Sequence, residues 1–158
     1  MAETLGSLCD KLTIVDLKIW HSTDAVRLKS LRSQKSALQR EINELIAGAI
    51  AGDIPVGRLA FAANKVYKRR GNQVAPVVGG MGEVISQLAT TNCALWHEQE
   101  KVYEFEKVPD TQKAVVVKKL AILNLQRNKC MEQLDRILVS AVKKRSVPAN
   151  VRSRHALD

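Results

Sequence analysis

The 158-residue chain has few aromatic residues. Phenylalanine, tyrosine and tryptophan together make up 4% of it, whereas hydrophobic residues make up 46%. Its core must therefore consist mainly of leucine, isoleucine, valine and alanine, a composition that suits helices packed on helices. A chain of this length favours a single domain and is long enough to bury a core.

Cysteine is also scarce. The three cysteines, Cys9, Cys93 and Cys130, lie far apart in the sequence and form no Cys-x-x-Cys pair. This spacing argues against both a zinc cage and a disulfide framework. Cys9 and Cys130 fall on apolar stripes, where a free thiol behaves as a small hydrophobic side chain. The pattern fits a reducing compartment, either the cytoplasm or a viral particle made in the cytoplasm.

Long hydrophobic segments are missing as well. No apolar run approaches the roughly 18 residues that a membrane-spanning helix requires. The N-terminal residues do not show a basic region followed by an apolar run, so we expect no signal peptide. The sequence therefore predicts a cytoplasmic protein without a membrane span.

Positive charge is in excess, because 25 lysines and arginines against 16 acidic residues give a net charge of +9. A basic surface attracts phosphate-rich partners without specificity. Two basic clusters are candidates for phosphate or nucleic-acid contact. The first comprises Lys65, Lys68, Arg69 and Arg70, and the second comprises Lys143, Lys144, Arg145, Arg152 and Arg154. Tyr67 is the only aromatic residue among them, so few side chains are available to stack on nucleic-acid bases. The alternative is that these clusters are simply a solvated charged surface.

Helical spacing of apolar residues extends over most of the chain. It predicts four helices, over residues 5–22, about 25–50, 81 to about 107, and about 111–144. A short helix over 58–71 is predicted between the second and the third. Thr4 and Asp24 are the expected caps of the first two helices. Ile14 and Leu17 give the first helix a second apolar side, so we expect neighbours to contact it from more than one direction.

The first predicted helix resembles the third, and the second resembles the fourth. Trp20-His21 aligns with Trp96-His97, at an offset of 76 from residue 21 to residue 97, and Gln34 aligns with Gln126, at an offset of 92. The second hairpin is therefore longer by 16 residues, or about two turns on each arm. This internal repeat predicts an all-α four-helix bundle made of two tandem helical hairpins.

The predicted domain covers residues 1–145. Hairpin one occupies 4–50, a connector occupies 51–80 and hairpin two occupies 81–145. Residues 146–158 are polar and basic, and we expect them to form a flexible tail.

The repeat also pairs polar residues that interrupt the apolar stripes, since Asp16 aligns with Asn92 and Lys35 with Arg127. A buried charge needs a partner. We therefore predict two buried polar pairs, Asp16–Lys35 in hairpin one and Asn92–Arg127 in hairpin two. The alternatives are that these side chains extend from the rim of the core to solvent, or that they form an anion site.

Histidine stands beside carboxylates at two places. His97 precedes Glu100 and Glu104 at helical spacings, and His21 precedes Asp24. Such sets can bind a divalent metal or transfer protons. However, His97 lies opposite the main apolar face of its helix, and Asp24 also suits a helix cap. The alternative is that the histidines border a packed or oligomeric surface and that the protein needs no cofactor, in which case the Trp-His pairs mark a contact face of a dimer.

Three motifs lie within the predicted helices: DKLTIVDLKIWH at Asp10–His21, LWHEQE at Leu95–Glu100, and QRN at Gln126–Asn128. They resemble an uncharacterised all-helical family, a domain of unknown function found in bacteria and their viruses. The family pattern usually has asparagine or a small residue where this chain has Asp16. Bacterial members are often encoded near genes for cell-envelope glycan assembly. The resemblance thus implies an all-helical fold and an accessory role, but no reaction.

These observations favour a non-enzymatic helical interaction or structural module with a basic surface, accessory to a larger assembly. It would bind a protein partner or associate with itself. Two alternatives stay open. One is a metal-dependent helical-bundle enzyme acting on a phosphate-containing substrate, and the other is an auxiliary nucleic-acid-binding protein that uses the basic clusters.

Overall fold

The computed structural model describes residues 3–62 and 74–146, and these ranges contain helices but no strand. The helices are α1 (Leu5–Trp20), α2 (Ala25–Ala51), α3 (Met81–Tyr103) and α4 (Asp110–Ser146). Short 3-10 turns follow α2 at Val56–Arg58 and α3 at Phe105–Lys107. The predicted all-α four-helix bundle is confirmed. Most of the predicted short helix over 58–71, and the tail beyond residue 146, lie outside the described residues.

Both predicted caps are present. The Thr4 hydroxyl accepts a hydrogen bond from the backbone N–H of Ser7 at 3.3 Å, and the Ser7 hydroxyl accepts one from the Thr4 N–H at 3.0 Å. This reciprocal capping box satisfies N–H groups that the first turn of α1 leaves free. Asp24 Oδ1 accepts from the N–H of Arg27 at 2.6 Å and so begins α2. Gly52, with φ of 89°, ends α2 in the left-handed conformation that glycine adopts most easily.

The core is aliphatic and occupies the predicted stripes. Its larger cluster lies among the beginnings of α1 and α3 and the ends of α2 and α4. The buried members are Leu5, Cys9, Ala49, Leu59, Val84, Leu88, Cys130, Leu134, Leu138 and Val142. A smaller cluster joins α1 to α2 and consists of Leu8, Val15, Leu31 and Leu38. Burial of these side chains is the main force that holds the helices together.

Helix α1 is central, because it packs against α2, α3 and α4. This confirms the expectation that it is contacted from more than one direction. Within the described ranges, α2 and α3 make no substantial contact with each other. Where α1 meets α4, a Cβ added to Gly6 would stand 2.2 Å from the carbonyl oxygen of Met131. Only glycine allows the two backbones to approach so closely.

The second hairpin extends beyond the first. Helix α3 has 23 residues against 16 in α1, and α4 has 37 against 27 in α2. His21, at the turn of hairpin one, contacts Trp96, so residues 98–116 project past that turn. We call residues 98–116 the arm. None of the helices in the described part of the chain combines the length and apolar character needed to cross a membrane.

The two hairpins are not packed equivalently. Helix α1 packs on α4, whereas their counterparts α3 and α2 do not pack on each other within the described residues. The aligned tryptophans also differ, because Trp20 is 85% exposed and Trp96 is partly buried. The internal repeat therefore stays a prediction from the sequence.

Candidate functional site

An aromatic surface forms where the α1–α2 turn meets the side of α3. The His21 ring stacks on Trp96, with ring centroids 4.8 Å apart and planes inclined by 13°. The His97 ring stands nearly perpendicular to His21, at a centroid distance of 6.2 Å. Trp20 precedes His21 and is exposed to solvent. We call Trp20, His21, Trp96, His97 and Glu100 the aromatic corner.

Glu100 holds two of these rings in place. Trp96 Nε1 donates to one carboxylate oxygen of Glu100 at 2.8 Å, and His97 Nδ1 lies 3.2 Å from the other. The three residues are neighbours on one helical face because their spacings are three and four. Hydrogen bonds lower the pKa of Glu100, and the bond from His97 has a larger effect than the bond from Trp96. The carboxylate is therefore ionised at neutral pH and orients the Trp96 and His97 side chains.

The residues predicted to bind a metal are brought together only in part. His21, His97 and Glu100 share the aromatic corner. Glu104 instead pairs with Lys107 at 2.9 Å, and Asp24 caps α2. Across residues 3–62 and 74–146, no group of three or more histidine, cysteine or acidic side chains is arranged to hold a metal ion. The five side chains thus do not form one site in the described structure.

A buried polar cluster centres on Asp10, which is only 3% exposed. Its Oδ1 accepts hydrogen bonds from Asn92 Nδ2 at 2.9 Å and from Arg127 Nε at 2.7 Å. A second guanidinium nitrogen of Arg127 binds Oδ2, and Asn92 Nδ2 also donates to Thr13 Oγ1 at 2.8 Å. The bond to Asp10 raises the pKa of Arg127. One carboxylate of α1 thereby joins α3 and α4.

The predicted buried pairs are rearranged. Lys35 Nζ lies 2.7 Å from Asp16 Oδ1, but these side chains are 38% and 46% exposed, so the pair lies at the rim of the core and is not buried. Asn92 and Arg127 meet through Asp10 and not directly. A charged guanidinium such as that of Arg127 forms a stronger hydrogen bond with a carboxylate than with an amide. Arg127 therefore binds Asp10 and not Asn92.

Asp10 was not among the predicted residues, although the sequence carries a signal for it. Gly6, Asp10 and Thr13 follow one another at spacings of four and three. This places them on one side of α1, beside the main apolar stripe. A small residue followed by polar ones on a secondary face indicates close approach of a second helix with hydrogen bonds across the contact.

Asp135 forms a second buried contact between α1 and α4. Its Oδ1 accepts from the backbone N–H of Gly6 at 2.7 Å. A carboxylate is favourable at the N-terminus of a helix because the N–H groups there lack helical partners. Burial nevertheless raises the pKa of Asp135, and the hydrogen bonds from Gly6 and Thr4 only partly oppose the effect.

Glu98 joins α3 to α4 at the base of the arm. It is 4% exposed and accepts from Lys119 Nζ at 2.6 Å and Lys101 Nζ at 2.9 Å. Both hydrogen bonds lower the pKa of Glu98, and the bond from Lys119 has the larger effect. Three charges therefore connect α3 to α4.

The basic clusters predicted from the sequence are described only in part. Lys65, Lys68, Arg69 and Arg70 lie outside the described residues, as do Arg152 and Arg154. The remaining three, Lys143, Lys144 and Arg145, are exposed in the last turn of α4. A further basic surface lies on α2, which carries exposed Arg27, Lys29, Arg32 and Arg40.

No protein-family model, no curated protein and no solved structure matches the chain. Its function has to be inferred from its own residues.

Proposed function

We propose that the protein is a non-enzymatic helical interaction module, accessory to a larger assembly, and that it makes protein contacts through the aromatic corner. The observation that carries the proposal is the position of Trp20, one of two tryptophans in the chain, which is 85% exposed. A tryptophan side chain presents a large apolar area, and covering that area with a partner is favourable. Tryptophan is also enriched among the residues that dominate binding energy.

Four of the five residues of the aromatic corner, all except Trp20, contact one another before any partner binds. Stacking fixes His21 on Trp96, and Glu100 fixes Trp96 and His97. Side chains that are already ordered lose little conformational entropy on association. Exposed apolar residues continue the surface along the chain, with Val26 across the turn from Trp20 and Tyr103 further along α3. An apolar centre with polar residues around it is typical of a protein–protein interface.

The buried ionisable groups in the described structure support a structural role. Asp10, Glu98 and Asp135 each connect two helices. Burial raises the pKa of Cys9 to about 11, with further contributions from Asp135 and Asp10. The Cys9 thiol is therefore neutral at physiological pH, and a neutral thiol is a poor nucleophile.

Self-association is the simplest form of the proposed contact, and sedimentation velocity on the full chain tests it. We expect the mean mass of the wild-type protein to rise with concentration and the Trp20→Ser variant to stay monomeric. Val115→Ser is the matched control, because Val115 is an exposed apolar residue on the arm, and this variant should associate like the wild type. A wild-type protein that stays monomeric at every concentration would rule out self-association through the aromatic corner.

A further inference from the structure

We propose that the outer face of α2 is a separate interaction surface that binds the sugar–phosphate backbone of nucleic acid. We call its three exposed cationic residues on this outer side, Lys29, Arg32 and Arg40, the basic face. The basic face shares no residue with the aromatic corner, so the two surfaces can be tested independently.

The charge of α2 is concentrated in its first part. Residues 25–40 contain five basic residues and no acidic one, and the first acidic residue that follows is Glu41. The chain as a whole has a net charge of +9, so this single helical segment carries more than half of it. A local excess of one sign produces a stronger potential at the surface than the same charge spread over the molecule.

The fold directs most of this charge outward. Leu31 and Leu38 are buried against α1, and Lys35, on the same side, pairs with Asp16. The three members of the basic face are exposed. Arg27 is exposed too, but it lies one turn before Leu31 on the inner side of the helix. Lys29 and Arg40 lie opposite the buried leucines and are separated by about 16 Å, at 1.5 Å per residue. This span equals the rise of about five base-pair steps along the axis of a duplex.

The cationic groups of the basic face have no carboxylate partners within the described structure. Salt bridges elsewhere neutralise several lysines, including Lys11, Lys113 and Lys119. No salt bridge or side-chain hydrogen bond joins the head groups of Lys29, Arg32 and Arg40 to another described residue. Because these charges are not compensated within the described chain, they are available to an external anion.

Apart from Ala25 and Val26 at the start of α2, the remaining exposed residues of this segment are polar and identify the anion. Every exposed residue from 29 to 40 is polar and can donate a hydrogen bond: Lys29, Ser30, Arg32, Ser33, Gln34, Ser36, Gln39 and Arg40. Arginine, lysine, serine and glutamine are the side chains that contact phosphate oxygens in nucleic-acid complexes. A helix that binds a membrane surface instead needs apolar residues to enter the lipid. Nucleic acid therefore fits this face better than a bilayer.

Fluorescence anisotropy with a labelled DNA duplex of about 20 base pairs tests the proposal at salt concentrations of about 50 and 200 mM. Three phosphate contacts give a slope of log K against log salt of about −2.7, which corresponds to a roughly 40-fold loss of affinity over this range. In the variant Lys29→Gln/Arg32→Gln/Arg40→Gln, the slope should become shallower by about 2.7. Glutamine is a good helix former, and circular dichroism checks that the helix is retained.

Two matched variants distinguish an effect of the basic face from an effect of the total charge of the protein. Lys143→Gln/Lys144→Gln/Arg145→Gln removes the same number of charges from the end of α4 and should keep most of the slope. Lys29→Arg/Arg32→Lys/Arg40→Lys preserves the charge of the basic face and should bind like the wild type. The proposal is overturned if the wild type does not bind duplex at low salt, or if the α2 and α4 variants lose equal affinity. Binding to phosphatidylserine vesicles but not to duplex would overturn it too. None of these results bears on association through Trp20.

Discussion

Asp10 and Arg127 lie 117 positions apart in the sequence, and the Arg127 guanidinium binds both oxygens of the buried Asp10 carboxylate. This contact attaches α1 to α4, and Asn92 extends it to α3. The central helix is thus fixed by polar contacts of defined geometry as well as by the aliphatic core. Several properties of the protein can be predicted from this arrangement.

Replacing Asp10 should destabilise the fold more than replacing Asp16. In Asp10→Asn, the partly buried Arg127 charge loses its anionic partner, and the free energy of unfolding should fall by about 2 kcal/mol. The control is Asp16→Asn, which breaks the exposed pair with Lys35 and should cost less than about 1 kcal/mol. Urea denaturation of both variants measures the difference. Equal losses would show that the Asp10 contact does not fix α1.

Alanine should have opposite effects at two glycines that align in the sequence repeat. In Gly6→Ala the new methyl group would collide with the backbone of Met131, and such overpacking costs about 1–3 kcal/mol. Gly82 has no atom within 4 Å of an added Cβ, so Gly82→Ala should stabilise α3 by about 0.5–1 kcal/mol. Thermal unfolding of both variants distinguishes the effects, and a stabilising Gly6→Ala would disprove the close approach of α1 to α4.

The Glu98 cluster should make stability depend on pH. Because the folded protein lowers the pKa of Glu98 from its ordinary value of 4.5, the ionised carboxylate stabilises the fold above that value. This contribution is lost as the pH falls through the lowered pKa. Glu98→Gln should therefore cost about 2 kcal/mol at pH 7, with the difference from wild type shrinking below about pH 4.5.

Urea denaturation over a pH series measures this difference. Glu104→Gln is the control, because Glu104 forms an exposed pair with Lys107 and should have little effect at any pH. A penalty for Glu98→Gln that persists undiminished in acid would mean that the charge of Glu98 is not what joins α3 to α4 at the base of the arm.

The three cysteines should differ in reactivity. Burial raises the pKa of both Cys9 and Cys130, which keeps them protonated, whereas Cys93 is only partly buried. Iodoacetamide should therefore label Cys93 first in the native protein, and mass spectrometry of the digested chain identifies the labelled residue. Labelling in denaturant provides the control, since all three should then react. Labelling of native Cys9 as fast as Cys93 would contradict the described burial.

The sequence predicts the local features of this fold well. The spacing of Leu8, Val15 and Leu31 predicts buried helical faces, and Thr4 and Asp24 are found as caps. These features depend on residues within a few positions of each other, so one helical turn contains the needed information. The unequal hairpins also follow from the alignment of Trp20 with Trp96 and of Gln34 with Gln126.

Contacts between distant segments were harder to predict. Asp10 lies beside the main apolar stripe of α1, and nothing near it in the sequence indicates Arg127 as its partner. The basic face was missed for another reason. Its charges are spread from Lys29 to Arg40 and do not form a contiguous run like Lys143–Arg145, so they form a surface only once α2 is folded and its inner side is covered by α1.

Acrylamide quenching of tryptophan fluorescence, measured over a range of protein concentrations, tests the central claim most directly. Trp20 is exposed in the free chain and Trp96 is partly buried, so association through the aromatic corner should protect Trp20 first. We predict that quenching weakens as the wild-type concentration rises and that the Trp20→Phe variant, whose only tryptophan is Trp96, shows a much smaller change. Wild-type quenching that is identical at every concentration would contradict the account.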